Sequence, residues 1–311
     1  MASVHSHHPV LLDEVMLALN IRPDGCYLDA TFGRGGHSAA ILQRLGPDGR
    51  LLALDRDPQA IAYGRAHFGG DARIEFEHIN FNQVAEVLAQ RQLEANIDGV
   101  LMDLGVSSPQ LDDASRGFSF LHNGPLDMRM DTSRGESAAD WLARVELEAL
   151  VHVLKAYGEE RFARRIAHAI IDARAQQPIT ETAQLVRIIE QAIPVKEKHK
   201  HPATRSFQAI RMHINQELAS IETGLEAMLP ALKPGGRLAV ISFHSVEDRL
   251  VKRFMKAQVT RPALPKNLPV FDSDEPLPYR LHGKPTAASA EEVQRNPRAR
   301  SARLRVLERR Q

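Results

Sequence analysis

The feature that most constrains the fold is an alternation of short apolar runs with helical patterns along the first third of the chain. The apolar runs are typical of buried strands and lie at residues 26–32, 51–55, 73–79 and 97–104. Helical patterns separate them, and Asp57-Pro58 gives one helix an N-cap followed by proline at its first position. Strands that alternate with helices indicate βαβ units, so the sequence predicts a parallel sheet with helices on both faces.

The alternation stops after Gly105 and returns only near residue 237. Three helical patterns without a strand candidate lie between, at 137–157, 159–176 and 180–193. We therefore expect a sheet domain formed by residues 1–111 and 205–311, interrupted by a helical insertion at residues 112–204. The remaining patterns predict, in chain order, a long helix at 207–228, a strand at 237–243, a helix at 245–257, a loop at 259–285 and a closing edge strand at 304–307.

Composition excludes several classes of protein. With 43% hydrophobic and 25% charged residues among 311, the chain is an average globular protein and not a disordered, collagen-like or coiled-coil one. Its one cysteine, Cys26, excludes an intramolecular disulfide and fits a reducing compartment. No long uncharged stretch predicts a transmembrane helix, and the N-terminal residues do not resemble a secretory signal. We expect a cytoplasmic protein.

The charge is distributed unevenly, although the formal net charge is only +1. From Thr260 to Gln311 there are 11 basic and 6 acidic residues, among them Arg298, Arg300, Arg303 and Arg305. A second basic cluster comprises Lys196, Lys198, Lys200, Arg205 and Arg211. Two separate basic segments fit a polyanionic partner such as RNA, and a solvated surface is the alternative.

A glycine-rich loop, Gly33-Arg-Gly-Gly36, follows the first predicted strand and precedes a helix. Such a loop lets a ligand approach the backbone and directs the amides at the helix N-terminus towards it. Asp55 ends the second strand, 22 residues after Gly33, where a carboxylate can hold a ribose. The match to a dinucleotide fingerprint is partial, because Ser38 occupies the sixth position, and a turn without a ligand remains an alternative.

Acidic residues end three of the predicted strands, namely Asp29, Asp55 and Asp103. Asp29 lies just ahead of the glycines, where a carboxylate would repel a dinucleotide pyrophosphate and attract a cofactor with an amine or a sulfonium. Phe81 directly follows the third strand and can stack on a base. The combination suits a cationic ligand that carries a ribose and no phosphates, and S-adenosylmethionine is such a ligand.

Long motifs distributed over the chain resemble the ribosomal small-subunit RNA cytosine-N4 methyltransferases, the RsmH (MraW) family. They are Asp29-Ala-Thr-Phe-Gly-Arg-Gly-Gly-His-Ser38, Asp55-Arg-Asp-Pro58, Asp103-Leu-Gly-Val-Ser-Ser-Pro-Gln110, Arg116-Gly-Phe-Ser-Phe120, Gly124-Pro-Leu-Asp-Met-Arg-Met130, Tyr157-Gly-Glu-Glu-Arg-Phe162, His201-Pro-Ala-Thr-Arg205 and Ile241-Ser-Phe-His-Ser245. The resemblance covers nearly the whole chain, from about Val10 to Arg305.

The resemblance implies an α/β fold, a class I (Rossmann-like) S-adenosylmethionine-dependent methyltransferase sheet with an inserted all-helical domain that recognises the substrate. It implies S-adenosylmethionine as cofactor and the N4 amine of a decoding-centre (P-site) cytosine in 16S rRNA as acceptor. The family's cofactor contacts correspond here to Gly35, Gly36, His37, Asp55, Phe81, Asp103 and Gln110, and Gly33 of the same loop is added to them.

The catalytic group is less well defined by the sequence. Many amino-methylating enzymes carry an Asp/Asn/Ser-Pro-Pro-aromatic loop after the fourth strand, and this chain has Asp103-Leu-Gly-Val-Ser-Ser-Pro-Gln instead. Candidates for interaction with the reacting amine are therefore Asp103, Ser107 and His244. No residue spacing suggests a metal site, and we expect none.

Two alternatives to the methyltransferase remain open at this point. A nicotinamide-dependent oxidoreductase would use the glycine-rich loop for a dinucleotide, and a non-catalytic RNA-binding factor of ribosome assembly would use the same fold without chemistry. A homodimer is compatible with the sequence, which does not determine the oligomeric state.

Overall fold

The computed structural model describes residues 9–195, 201–261 and 276–311. The chain divides into two compact units. The first, called the sheet unit here, comprises Met1–Gly105 and Leu218–Gln311, and the second, the helical unit, comprises Val106–Glu217. None of the helices within the described ranges is long and apolar enough to cross a membrane.

The strands, numbered along the chain, are β1 Cys26–Asp29, β2 Arg50–Asp55, β3 Ile74–His78, β4 Ile97–Asp103, β5 Leu232–Ser242, β6 Tyr279–Leu281, β7 Thr286–Ala287 and β8 Arg303–Arg309. The helices are α1 Leu12–Leu19, α2 Gly36–Leu42, α3 Pro58–Phe68, α4 Val84–Gln90, α5 Ser108–Asp112, α6 Ala138–Arg144, α7 Leu147–Ala156, α8 Ala163–Gln176, α9 Thr182–Ala192, α10 Thr204–Ile214, α11 Glu217–Met228, α12 Ser245–Gln258 and α13 Ala290–Arg295. Short 3-10 helices lie at Phe81–Gln83, Ala114–Arg116 and Pro297–Ser301.

The sheet has the strand order β3-β2-β1-β4-β5-β8-β6, and β7 pairs with β8. The first five strands pair in parallel, whereas β8 runs antiparallel to its neighbours. The order reverses between β1 and β4, and ligands of open α/β sheets bind at the carboxyl ends of the strands at such a switch point.

Both faces of the sheet are covered by helices, which the alternation of side chains along β2 illustrates. Leu51 and Ala53 belong to an apolar cluster with residues of α1, α2 and α3. Leu52 and Leu54 belong to the opposite cluster, which contains residues of α4, α11 and α12. Successive side chains of a strand point to opposite faces, so a strand apolar at every position is buried on both. The predicted doubly wound α/β fold is confirmed.

The helical unit has its own apolar core, formed by helices α6 to α10 and by the loop before them. Helix α8 packs between α7 and α9, and α10 packs against α7 and α6. The sequence placed the boundaries of this unit at 112 and 204, and the structure moves them to 106 and 217. The shift arises because α10 buries its apolar face within the helical unit.

The long helix predicted at 207–228 is interrupted, so this prediction is wrong. Helix α10 ends at Ile214, α11 begins at Glu217, and Gln216 between them has a φ of 49°. The side chain of Asn215 fixes the break, because its Nδ2 donates to the carbonyl oxygens of Met128 (2.7 Å) and Arg211 (2.9 Å). The helix predicted at 137–157 is likewise two helices, α6 and α7.

Two predictions for the C-terminal part need correction. Strand β8 lies between β5 and β6, so it is an interior strand and not the predicted edge strand. The segment predicted as a loop at 259–285 contains β6, which pairs with β8. Residues 262–275 of that segment lie outside the described residues.

Candidate functional site

The register of the sheet positions two carboxyl groups on either side of the glycine-rich loop. Asp29, the last residue of β1, pairs with Ala53 of β2 and with Leu101 of β4. Asp55 on β2 and Asp103 on β4 therefore each lie two residues beyond the position that pairs with the last residue of β1. The loop that leaves β1 lies between them at the switch point of the sheet.

Hydrogen bonds fasten this loop to both flanking strands. The amide of Gly33 donates to Oδ2 of Asp55 at 2.7 Å. On the other side the amide of Asp103 donates to the hydroxyl of Thr31 at 2.7 Å. The loop is thus preformed, and its backbone is held between the ends of β2 and β4.

Two of the glycines are required by close packing. Gly35 has a φ of 73°, and a Cβ there would lie 2.7 Å from the ring of Phe32. A Cβ on Gly36 would lie 2.3 Å from Cγ of Pro9. Larger residues at these positions would displace the loop or the segment that covers it.

Asp55 combines burial with bonds to the backbone. Its Oδ1 accepts from the amide of Asp57 at 2.8 Å, and its Oδ2 accepts from Gly33. Burial raises the pKa of Asp55 to about 6 against the lowering effect of these bonds. Because each carboxylate oxygen can accept more than one hydrogen bond, Asp55 can still accept from ribose hydroxyls.

Asp29 supports the loop. It is 1% exposed, and it accepts from the hydroxyl of Ser38 at 2.6 Å and from the amide of Thr31 at 3.1 Å. Burial raises its pKa to about 6. With both oxygens bonded to the loop and to α2, Asp29 acts on the site chiefly through its charge.

Asp103 is the most perturbed carboxyl group of the site. Burial, and after it the negative charges of Asp29 and Glu247, raise the pKa of Asp103 to about 8. Its Oδ1 is buried and has no hydrogen-bond partner among the residues that the structure describes. The side chain as a whole is 27% exposed. A carboxyl in these surroundings would be stabilised by a donor or by a positive charge.

His37 lies beside Asp103 and is itself buried. Its Nε2 donates to the carbonyl oxygen of Val10 at 3.1 Å, and its Nδ1 lies 3.7 Å from Oδ2 of Asp103. Burial lowers the pKa of His37 to about 4. The ring is therefore neutral at physiological pH, and Nδ1 presents a lone pair towards Asp103.

Phe81 and His244 follow the ends of β3 and β5. Phe81 is half-buried against the apolar cluster, and it packs closely on Gly224, where a Cβ would lie 2.7 Å from its ring. His244 is half-buried and is the N-cap of α12 in a capping box with Glu247, whose Oε2 accepts from the amide of His244 at 3.1 Å. His244 therefore has a structural role as the N-cap of α12.

Ser107 and Gln110 belong to the helical unit. They form the capping box at the start of α5, in which the amide of Ser107 donates to Oε1 of Gln110 at 2.9 Å. Gln110 is buried and Ser107 is half-buried. Their predicted contacts with the amine and with the cofactor stay predictions. The predicted residues that the sheet unit brings to its strand ends are Gly33, Gly35, Gly36, His37, Asp55, Phe81, Asp103 and His244.

Two of the arginines predicted to contact RNA take part in ion pairs within the protein, and their contact with RNA stays a prediction. Arg211 donates from Nε and Nη2 to both oxygens of Glu217, at 2.8 and 2.9 Å, and both side chains are buried. Arg305 is bidentate to Asp248, at 2.7 and 2.9 Å. The three lysines of the 196–200 segment lie outside the described residues.

Sequence reasoning missed several residues that shape the site. Thr31 and Ser38 orient the backbone and Asp29, and Glu247 raises the pKa of Asp103. The spacing of Glu247 three residues after a helix N-cap is a capping-box signal that could have marked it. Val10 had no such signal, because it acts through its carbonyl oxygen.

The polar groups of the site fit S-adenosylmethionine. The site is rich in acceptors, one of which, Asp103 Oδ1, is buried without a partner among the described residues. A cation and two ribose hydroxyls would satisfy these oxygens, whereas a pyrophosphate would add negative charge beside them. No group of three or more His, Cys, Asp or Glu residues that could hold a metal ion occurs in the described part of the chain.

A family model described as the MraW methylase family matches residues 4–310. The chain belongs to this methylase family. The membership confirms the resemblance noted in the sequence and the enzyme class that it implied, a methyltransferase. It also argues against the dinucleotide-dependent oxidoreductase.

Individual relatives agree with the family match. A protein of Thioalkalivibrio sulfidiphilus is 56% identical over 98% of this chain and 97% of its own length, and one of Pseudoalteromonas atlantica is 54% identical over 99% of each. Both are named ribosomal RNA small subunit methyltransferase H. Among solved structures, an rRNA methylase from Streptococcus thermophilus is similar with 12% identity, 99% coverage of this chain, 100% of that chain and a TM-score of 0.44. The fold assignment rests on the strand order given above.

Proposed function

We propose that this protein transfers a methyl group from S-adenosylmethionine to the exocyclic N4 amine of a P-site cytosine in 16S rRNA of the small ribosomal subunit. The observation that carries the proposal is the carboxyl of Asp103 at the switch point of the sheet, whose Oδ1 is buried without a hydrogen-bond partner among the described residues. The names of the relatives support small-subunit rRNA as the substrate, and the cytosine amine as acceptor rests on the sequence motifs.

The cofactor of this methyltransferase is S-adenosylmethionine, which when bound supplies a methyl group on a positively charged sulfur. Asp55 accepts from the ribose hydroxyls, because its carboxylate lies at the end of β2 beside the glycine-rich loop. The loop, fixed by its bonds to β2 and β4, lets the ligand approach the backbone of Gly33 and Gly35 closely. Phe81 offers a ring to the base.

Asp103 acts on the target amine. The lone pair of an exocyclic cytosine amine is delocalised into the ring, so the amine is a poor nucleophile and needs both placement and an acceptor for its proton. Positive charge near Asp103 lowers the pKa of its carboxyl and favours the ionised form. The ionised carboxyl accepts a hydrogen bond from the amine, aligns it, and takes up the proton that the amine nitrogen loses on methylation. Ser107 and His244 are the further candidates for this step.

The two units have different roles in this proposal. The sheet unit holds the cofactor, and the helical unit recognises RNA, with the lysines of the 196–200 segment contacting phosphates. The target base must leave its stack before its amine can reach the methyl group. Ribosomes assemble in the cytoplasm of bacteria, so we place the protein there.

The test uses small ribosomal subunits from a strain that lacks the gene, the purified protein and methyl-labelled S-adenosylmethionine. We expect label in 16S rRNA with the wild type, a loss of most turnover with Asp103→Asn, and unchanged turnover with Asp13→Asn, an exposed carboxylate on α1. A parallel titration should show binding of S-adenosylmethionine and none of NAD. Binding of RNA without transfer of label would favour an assembly factor and contradict the proposal.

A further inference from the structure

A short segment before α1 covers the glycine-rich loop. We call Pro9–Leu11 the strap. Pro9 packs on Gly36, as the 2.3 Å distance from a hypothetical Cβ shows, and the carbonyl oxygen of Val10 accepts from Nε2 of His37 at 3.1 Å. The strap therefore touches two successive residues that are proposed to bind the cofactor.

The strap is fastened from the other end of the chain. The amide of Leu11 donates to Oε1 of Glu292 at 2.7 Å, across a separation of 281 residues. Glu292 lies in the first turn of α13 and is a half-buried residue. No other bond links the amides or carbonyls of the strap to α13 in the described part of the chain.

Leu11 needs this support because its backbone is unusual. It has φ 55° and ψ 36°, a left-handed conformation that leucine rarely adopts, and its side chain is fully buried. Such a conformation persists only where the surroundings hold it. The carboxylate of Glu292, which accepts from the Leu11 amide, and the burial of the Leu11 side chain together hold this backbone conformation.

The strap in turn orients His37. A carbonyl oxygen can only accept, so the proton of the neutral ring is on Nε2. Nδ1 is left with a lone pair that faces Oδ2 of Asp103 at 3.7 Å. The distance is longer than a direct hydrogen bond. Because the raised pKa of Asp103 favours its protonated form in the free protein, its carboxyl can donate to Nδ1 after a small movement of either side chain. The charged groups around this pair are Asp103 itself on β4, Asp29 on β1 and Glu247 on α12.

We propose that Glu292 is a positioning residue for methyl transfer: it fastens the strap, and the strap fixes the orientation of His37 next to Asp103. The expected effect of Glu292 on cofactor binding rests on the proposed function. Its structural part, the control of His37 by Glu292, can be tested in the free protein.

The experiment compares three variants with the wild type. Glu292→Ala removes the acceptor, Glu292→Gln keeps an oxygen that can accept from Leu11, and Glu291→Ala changes the exposed neighbour on the same helix. The first readout is the pKa of His37, measured by nuclear magnetic resonance in the free protein. The second is the affinity for S-adenosylmethionine, measured by calorimetry.

In the wild type we expect a His37 pKa of about 4. Glu292→Ala should move it towards the ordinary value of 6.5, because burial, which lowers the pKa, outweighs the Val10 bond, which raises it, and a loosened strap weakens both. The same variant should bind the cofactor roughly two- to tenfold more weakly, the effect of one lost hydrogen bond. Glu292→Gln should restore both values, and Glu291→Ala should change neither.

An unchanged pKa of His37 in Glu292→Ala would overturn the inference. Equal effects of Glu292→Ala and Glu291→Ala would also overturn it, since they would reflect a general loss of α13. If circular dichroism shows that Glu292→Ala is unfolded, Glu292→Asp, whose carboxylate is one methylene shorter and should weaken the bond to Leu11, takes its place. Failure of the wild type to bind S-adenosylmethionine would contradict the proposed function, while the titration of His37 would still decide the role of Glu292.

Discussion

Replacing Asp103 with asparagine should stabilise the free protein while it removes activity. In the native state the pKa of this carboxyl is about 8, because of burial and then of the charges of Asp29 and Glu247, whereas an ordinary aspartate titrates near 3.8. Between these values the native state binds a proton that the unfolded chain has released. The contribution of Asp103 to stability is therefore complete at acid pH and is lost as the pH rises towards 8.

The size of the effect follows from proton linkage. One bound proton changes the free energy of unfolding by about 1.4 kcal/mol per pH unit, so from about pH 5 to about pH 7 the upper limit is roughly 2.7 kcal/mol. The Asp103 side chain keeps 27% of its surface exposed, and solvent reduces the effect to about 1–2 kcal/mol. Asp103→Asn cannot titrate, so its advantage over the wild type should grow by this amount over the interval.

Urea denaturation of both proteins at several pH values measures this difference, and the other titrating groups cancel in it. Asp71→Asn is a suitable control, because hydrogen bonds from Arg73 lower the pKa of Asp71 to about 2. Removal of that charge should bring no gain at neutral pH. A difference between wild type and Asp103→Asn that stays constant from acid to neutral pH would refute the reasoning about burial at this site.

Further predictions concern the cofactor, the fold and RNA. Asp55→Ala should weaken binding of S-adenosylmethionine, measured by calorimetry, by about 1–3 kcal/mol, because two ribose hydroxyls lose their acceptor; unchanged affinity in a folded variant would exclude this role. Arg211→Ala should lower the free energy of unfolding by about 3–5 kcal/mol, because it leaves Glu217 buried without its partner; a change below about 1 kcal/mol in urea denaturation would show that the pair is dispensable. Reversal of the lysines of the 196–200 segment to glutamate should weaken RNA binding in a salt-dependent way and leave cofactor affinity unchanged; equal RNA affinity would identify them as a solvated surface.

The sheet and the placement of the candidate residues at its strand ends could be predicted because both depend on local signals. Strands buried on two faces give continuous apolar runs, and parallel strands bring their carboxyl ends to one edge, so Asp55 and Asp103 could be placed beside the glycine-rich loop from the sequence. Asp57 and Pro58 predicted the start of α3, and the side chain of Asp57 does accept from the amide of Gln59 at 2.9 Å.

The remaining features depend on contacts between distant residues. The apolar periodicity runs on past residue 214, and the helix ends there because Asn215 bonds to Met128 and Met130, more than 80 residues earlier. Strand β8 is interior because β6 covers its outer edge. Nothing local to Leu11 predicts a left-handed backbone, which is held by burial and by a carboxylate 281 residues away.

Mass mapping of 16S rRNA from strains with and without this protein tests the central claim most directly. Chromatography before the mass measurement separates N4-methylcytidine from its isomers. The account predicts one methyl group on N4 of a decoding-centre cytosine that disappears with the gene and returns when the wild-type protein, but not Asp103→Asn, is supplied. Identical methylation in the two strains, or a methyl group that depends on the protein and lies on another atom or outside 16S rRNA, would contradict it.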